Sequence, residues 1–294
     1  KNFKVSIIIP TYNRAKQLKL ALIAIAKQNY GEKFELIIVD DGSNDETKEV
    51  SLSFFQKNNL KINGVYLHQK NQGCAVARNL GIKVAKGEYL FFTDDDCIVP
   101  PNWITRILEG FKKYPRASAV GGWYEVNEKN LQKNKYLQVI SSSGHQKNPC
   151  GNTANVCYKK EVFSKIGYFD TWTRKTARID WEFKLRAHYN GLHLLYIPLI
   201  VRYNKTMTLY GFLHNAFRYG QADHYLSTRF KDYGNVLYLP HIFYHLSNIY
   251  NKYPTSKLRY YFIFLFVRLL GARYAHFLKV KSSIIYTKKY IEVT

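Results

Sequence analysis

A chain of 294 residues, 46% hydrophobic and 16% aromatic, has ample material for a core, so its composition excludes an intrinsically disordered protein. That length suits one large domain with an appendage or two modest domains. A formal net charge of +23 points to an anionic partner, whether nucleic acid, an acidic lipid surface or phosphorylated substrates, without choosing among them.

In chain order, KVSIIIP (residues 4–10) predicts a buried strand stopped by proline. Residues 14–28 then carry helical spacing in Leu18, Leu22, Ile25 and Ala26. FELIIVDD predicts the second strand. SNDETKEVSLSFFQK predicts the second helix, with Ser43 as its N-cap and acidic residues in its first turn. GVYLHQ predicts a third strand, GCAVARNLGIKVAKG a helix with Gly at both ends, and EYLFFTD a fourth strand. PNWITRILEGFKKYP predicts a helix opened by proline. Strands alternating with helices predict βαβ units and an α/β, mostly parallel sheet flanked by helices. Ligands of such sheets bind outside the carboxyl ends of the strands. Thr11, Tyr12 and Asn13 fall at one such end, Asp40 to Ser43 at another, and Asp94, Asp95 and Asp96 at a third.

After about Val126 the pattern loosens, and residues 127–151 read as a polar connection. NTANVCY predicts a strand, KKEVFSKIGYFD a short helix and turn, and IDWEFKLRAHYNG a helix ending at Gly191. LHLLYIPLIVRY predicts a strand pair or one bent strand. The domain boundary is set at 205/206, with a sheet domain over 1–205 and a basic, mainly helical extension over 206–294. That extension holds twelve Lys/Arg against three Asp/Glu. Its most apolar part, residues 260–270, falls short of the about 20 apolar residues of a membrane span and is broken or flanked by Arg259, Arg268 and Arg273. An interfacial helix fits it, and so does a terminal helix packed on the main domain.

Cys74, Cys97, Cys150 and Cys157 show no zinc spacing. Free thiols in a reducing, cytoplasmic setting are the expectation, with a Cys150–Cys157 bridge as the alternative.

Three adjacent aspartates raise a physical question. Two carboxylates 4 Å apart repel by about 4 kcal/mol at an effective dielectric near 20. The cluster therefore calls for a cation or full solvation, and oxygen-only ligands select Mg²⁺ or Mn²⁺. Asp40 and Asp41 can accept hydrogen bonds from a base or ribose, or can simply cap a helix turn. There is no Gly-x-Gly-x-x-Gly after the first strand and no Walker lysine motif, which argues against a dinucleotide site and a P-loop. Asp180 is either the i,i+4 partner of Lys184 or a carboxylate base, with Glu182 as the runner-up base.

VSIIIPTYNR, ELIIVDDGSNDET, NQGCAVARNLGIKVAKGEYLFFTDDD and DWEFKLR occur in this order. Together they resemble family 2 inverting glycosyltransferases of the GT-A fold, over residues 4 to about 203. The resemblance implies that Pro10, Thr11, Tyr12 and Arg14 line the nucleotide-sugar pocket, with Tyr12 near the base. Asp41 would hydrogen-bond the base, Asp40 would support that loop, and Arg78 would sit near the nucleotide or its phosphates. Asp94 and Asp96 match the family's Asp-x-Asp. Asp96 would ligate a divalent cation, Mn²⁺ or Mg²⁺, and Asp94 would reach the ribose or the metal's water shell. Asp95 competes for the metal role. Asp180 would be the catalytic base, taking the acceptor hydroxyl's proton in a single inverting displacement while the cation neutralises the diphosphate. Ile179 departs from the family, which has Glu there. Many relatives supply a histidine metal ligand just after the last strand, where this chain reads Val201-Arg202-Tyr203-Asn204-Lys205; His214 is the nearest later histidine and His193 the nearest earlier.

The implied partners are a nucleotide-sugar donor, UDP-sugars ahead of GDP- and dTDP-sugars, and a glycan acceptor, lipid-linked or polysaccharide. The basic extension suits an anionic membrane surface, which would place the protein peripherally on the cytoplasmic face. No nucleic-acid motif is present. Two other classes compete. One is a non-catalytic nucleotide-sugar or carbohydrate-binding relative, which Asp180 beside the Asp triplet argues against and Ile179 keeps open. The other is a sugar-nucleotide pyrophosphorylase, whose Gly-rich signature is missing.

Overall fold

A computed structural model describes residues 3–126, 152–172, 178–204, 207–230 and 255–277. The polar connection expected over 127–151 lies outside the described residues. Packing divides the chain into two compact units, one built on a sheet and one of helices.

In the sheet unit, strands β1 (Val5–Thr11) and β2 (Phe34–Asp40) are buried along their whole length, because helices cover both faces of the sheet. Strands β3 (Ile62–His68) and β4 (Tyr89–Phe92) extend the parallel set, with Ile8 opposite both Ile37 and Phe92. Helices α1 (Ala15–Ala26) and α4 (Trp103–Lys113) cover one face. Leu18, Leu22 and Ile25, one stripe of α1, join Ile7, Ile9, Leu36 and Ile38 in the main core. Helix α2 (Thr47–Asn58) adds Val50 and Phe54 at its edge. Helix α3 (Cys74–Val84) lies on the other face and packs so closely that a Cβ on Gly81 would stand 2.6 Å from Ile8 Cγ2.

The remaining elements are β5 (Cys97–Ile98), β6 (Ala117–Val126), β7 (Val156–Lys159), α5 (Glu161–Ile166) and β8 (His193–Tyr203). The strand order is β3-β2-β1-β4-β7-β6-β8-β5. Strands β1 to β4, β6 and β8 run one way, and β7 and β5 run the other. Residues 193–203 form one long strand whose pairing with β6 shifts register twice. Buried Asn155 ties this half together: its Nδ2 donates to Trp123 O (2.7 Å) and Leu199 O (2.9 Å), and its Oδ1 accepts from Trp103 Nε1 (2.8 Å).

One expectation is corrected. Ser43 does not cap α2, because the chain makes a further turn before the helix begins at Thr47. Asp45 does that work instead. Its Oδ1 accepts from Thr47 N–H (3.2 Å) and Thr47 Oγ1 (2.5 Å), while its Oδ2 accepts from Ala15 N–H at the start of α1 (2.9 Å). Cys157 is a free, buried thiol on β7 and forms no bridge; Cys150 lies outside the described residues.

The helical unit holds α6 (Ile179–Tyr189), α7 (Leu209–Arg229) and α8 (Thr255–Phe277). A boundary at 205/206 would leave α6 with the sheet, whereas packing gathers it with the later helices. Gly191, at φ +69°, ends α6 with its N–H on His188 O (3.0 Å). Helices α7 and α8 cross with their backbones nearly touching: a Cβ on Gly220 would meet Arg268 O at 1.7 Å. Leu226 and Phe230 make a small core with Trp181, Leu185 and Tyr189.

Candidate active site

The loops leaving β1, β2, β3 and β4 gather at the carboxyl ends of those parallel strands, as an α/β sheet dictates. Pro10 and Thr11 end β1 and are buried, while Tyr12 follows with 45% of its surface exposed. Asn13 adopts φ +52°, a left-handed conformation that asparagine tolerates. The turn is locked to the β2 loop from both sides. Asn13 N–H donates to Ser43 Oγ (2.8 Å), and Asn44 N–H donates to Asn13 Oδ1 (2.8 Å). Gly42, at φ +90°, is required there, since a Cβ would stand 2.9 Å from Asn71 N.

Asp40 and Asp41 are buried supports of this wall. Asp40 Oδ1 accepts from Ser43 N–H (2.8 Å) and Oδ2 from Tyr66 OH (2.6 Å). Burial, with the bond to Asp40 behind it, raises the Tyr66 phenol's pKa, so it remains the donor. Asp41 Oδ1 accepts from Gln69 Nε2 (2.6 Å) and Gln72 N–H (2.8 Å), and Oδ2 accepts from Gly73 N–H (2.8 Å). Both carboxylates thus shape this wall by holding the 69–73 loop and the β2 turn.

The three aspartates after β4 separate by partner. Asp95 turns inward: Oδ2 accepts from Thr11 Oγ1 (2.9 Å) and Oδ1 from Arg14 Nη1 (3.0 Å). Burial pushes its carboxyl up to about 6, with Arg14 pulling the other way. Asp94 Oδ1 accepts from Arg78 Nη2 (2.5 Å), and its Oδ2 accepts from Tyr203 OH (2.9 Å). Asp96 Oδ2 takes Arg14 Nη1 (3.0 Å), and Asn204 N–H donates to its backbone carbonyl (2.9 Å). Arginine charge therefore offsets the carboxylate repulsion, from Arg14, whose side chain is 43% exposed, and from buried Arg78.

Oxygens of Asp94 and Asp96 lie within 4.8 Å of each other and of Cys97 Sγ. Carboxylate oxygens suit Mg²⁺ or Mn²⁺. Burial holds the Cys97 thiol well above its ordinary pKa, so it stays protonated and offers no hard ligand. The pair fits a divalent cation, and Asp95, committed to Thr11 and Arg14, is outside that group. No histidine among the described residues joins it. His193 begins β8, the strand end away from Tyr203, and His214 lies in α7 stacked on Tyr210 at 5.6 Å.

Asp180 belongs to the helical unit, in the first turn of α6, where the helix dipole favours its negative charge. It is half-buried and makes no side-chain hydrogen bond or ion pair among the described residues. Lys184, four residues on, lies over the Trp181 ring (4.7 Å). Glu182 is fully buried and committed elsewhere: Arg186 grips both its oxygens (2.9 Å each), and Arg229 adds a contact at 3.2 Å. It has no free oxygen for proton transfer. Arg178, at φ +70°, precedes the helix and lies over the Trp181 and Tyr219 rings.

Tyr66, Gln69, Asp45 and Tyr203 were not singled out from the sequence. Tyr203 had a usable signal, since it ends the last strand of the sheet. Gln69 had a weaker one, just past the end of β3.

The profile of Glycosyl transferase family 2 matches residues 6–175. Glycosyltransferase GlyG of Streptococcus pneumoniae serotype 4 is 37% identical over 126 residues, 42% of this chain and 40% of that protein, so this chain spans well under half of its length. Mannosyltransferase PcManGT from Pyrobaculum calidifontis, solved in complex with GDP-Man and Mn²⁺, has a TM-score of 0.58 at 18% identity, covering 96% of this chain and 77% of that one. S. aureus TarS, solved in complex with UDP-GlcNAc, has a TM-score of 0.56 at 18% identity, covering 95% and 76%. The two structures share the GT-A fold with this chain. The profile covers more than half of the 294 residues, and its span includes every site residue of the sheet unit before β8: the chain belongs to glycosyl transferase family 2.

Proposed function

We propose that this chain transfers a sugar from a nucleotide-diphosphate sugar to a hydroxyl or phosphate acceptor by a single inverting displacement. The observation that carries this reading is the site at the strand ends. A nucleotide end made by Tyr12, Asp40 and Asp41 adjoins a diphosphate end made by Arg14, Arg78, Asp94 and Asp96. Tyr12 stacks on the base, and the Asp41 wall reads its edge. Arg14 and Arg78 supply positive charge to the diphosphate. Asp94 and Asp96 would hold Mn²⁺ or Mg²⁺, which when bound supplies Lewis acidity to the leaving group. Asp180 takes the proton of the acceptor hydroxyl as it attacks the anomeric carbon. This route needs no covalent sugar intermediate and no Ser, Cys or His nucleophile.

The UDP-GlcNAc bound to TarS supports a UDP-sugar donor, and the GDP-Man and Mn²⁺ bound to PcManGT support a cation-held diphosphate. The acceptor assigned is a glycan, lipid-linked or polysaccharide.

A panel of nucleotide sugars with Mn²⁺, Mg²⁺ or EDTA, scored by release of nucleoside diphosphate, tests the proposal. One donor class should turn over, and EDTA should stop it. Asp96→Ala should lose metal-dependent donor binding. A panel with no donor bound and none consumed would sink the transferase reading. Undiminished turnover in EDTA would remove the cation from it.

A further inference from the structure

Helix α8 is turned the wrong way round for a water-soluble protein. Its inward side is small and charged. Gly271 and Ala272 are buried, a Cβ on Gly271 would stand 2.1 Å from Phe217 O of α7, and Arg268 Nε donates to buried Asp223 Oδ2 (2.6 Å). Its outward side is apolar: Phe262, Ile263, Phe266, Leu269, Leu270 and Tyr274 are all exposed, Phe266 at 63% and Phe262 at 52%. At 100° per residue these six span an arc of roughly 140°. They run about 18 Å along the helix at 1.5 Å per residue. An amphipathic helix in a globular protein puts such a stripe against the core. Contiguous exposed apolar surface of this kind marks an interaction site.

We infer that this stripe is a docking surface for an anionic lipid bilayer, with α8 lying flat in the headgroup region. Charge selects the occupant. The helix sequence carries Lys257, Arg259, Arg268 and Arg273 and no acidic residue, and the whole chain carries +23. A second copy with the same surplus would be repelled, whereas an anionic surface attracts it. Arg273, exposed within the arc near the last turn of the stripe, can bury its stem beside the apolar residues and raise its guanidinium to lipid phosphates. No helix among the described residues is long and apolar enough to cross a membrane, so the stripe inserts sideways. This surface does not depend on the transferase reading, and none of its residues has a role in the candidate active site.

Flotation of the full chain with phosphatidylcholine vesicles, with and without phosphatidylglycerol, at low and high salt, tests it. Binding should require phosphatidylglycerol and weaken as salt rises. The double variant Phe266→Ser, Leu270→Ser should bind at least about tenfold more weakly, because two apolar side chains no longer leave water. Its melting temperature, its mass in solution and its donor hydrolysis without vesicles should not change. Wild-type binding that ignores phosphatidylglycerol, or equal binding by the variant, would overturn the proposal. A lower melting temperature in the variant would show that the chain itself covers the stripe. A change in solution mass would show that a second copy does.

Discussion

Among the described residues, two clusters bring carboxylates to arginines, one in each unit, and they differ in how open they are. In the sheet unit, the Arg14 side chain is 43% and the Asp94 side chain 21% exposed, above Asp95, Asp96 and Arg78, which are 5–6% exposed, so this cluster opens to solvent through Arg14 and Asp94. In the helical unit, Glu182 is held by Arg186 and Arg229, and Asp223 by Arg178 and Arg268. Both carboxylates there are 8% exposed or less. The same residue types do different work. An arginine reachable by solvent can exchange its carboxylate for a phosphate, and the carboxylate can exchange the arginine for a cation. A buried pair of this kind locks helices, since breaking it strands a buried charge.

Asp180 and Glu182 put the sharpest test on this contrast, being two residues apart on one helix. Asp180→Asn should lower the transfer rate by about 10² to 10⁴ and leave donor binding and thermal stability in place. Normal transfer by this variant would reassign the base. Glu182→Ala should instead destabilise the fold by about 3 to 5 kcal/mol, read as a lower urea midpoint, because it leaves the charges of Arg186 and Arg229 unpaired. A stable Glu182→Ala protein would show that the sealed cluster is not a lock.

Within the open cluster, Tyr203→Phe removes one hydrogen bond to Asp94. The lost charged bond is worth about 1.5 to 3 kcal/mol and should weaken cation affinity about tenfold or more, measured by Mn²⁺ titration. The smallest expected effect is at Asp45→Ala, about 1 kcal/mol of stability. Burial alone would raise the Asp45 carboxyl's pKa, but bonds from Ala15 N–H and Thr47 outweigh it and hold it below its ordinary 3.8. A lowered folded pKa contributes stability above the unfolded value, and that stability is lost as pH falls through the folded value. The gap between wild type and Asp45→Ala should therefore be full at neutral pH and close below about pH 4. A gap that persists in acid would mean that Asp45 stabilises through packing rather than charge.

Much of the sheet unit was legible in the chain. β1 to β4 and α1 to α4 follow from apolar runs, helical spacing and Gly or Pro punctuation, all of which are local. The short β5 carries no local pattern; it exists because Cys97 and Ile98 meet Tyr203 and Arg202 of β8. β6 was missed because GGW interrupts its apolar alternation. The glycine at 122 is there for close approach, since a Cβ would stand 2.1 Å from Leu199 O. Ser43 looked like a helix cap because it is a cap-type residue with acidic residues just after it, yet Asp45 reaches two helix starts at once.

The sequence by itself determined that parallel strands carry polar turns at their carboxyl ends, and that three aspartates stand at one of them. Periodicity and turn chemistry act over a few residues, so one chain suffices to read them. Which aspartates face together was decided only by the tertiary structure. Asp95 turns to Thr11, 84 residues away, whereas Asp94, positioned by Tyr203, 109 residues away, brings an oxygen within 4.8 Å of one of Asp96. Strand order sets those meetings, and no local pattern encodes it. The direction of α8 belongs to the same class. Its residues announce an amphipathic helix, but the Gly220–Gly271 crossing and the Arg268–Asp223 bond turn the apolar side outward.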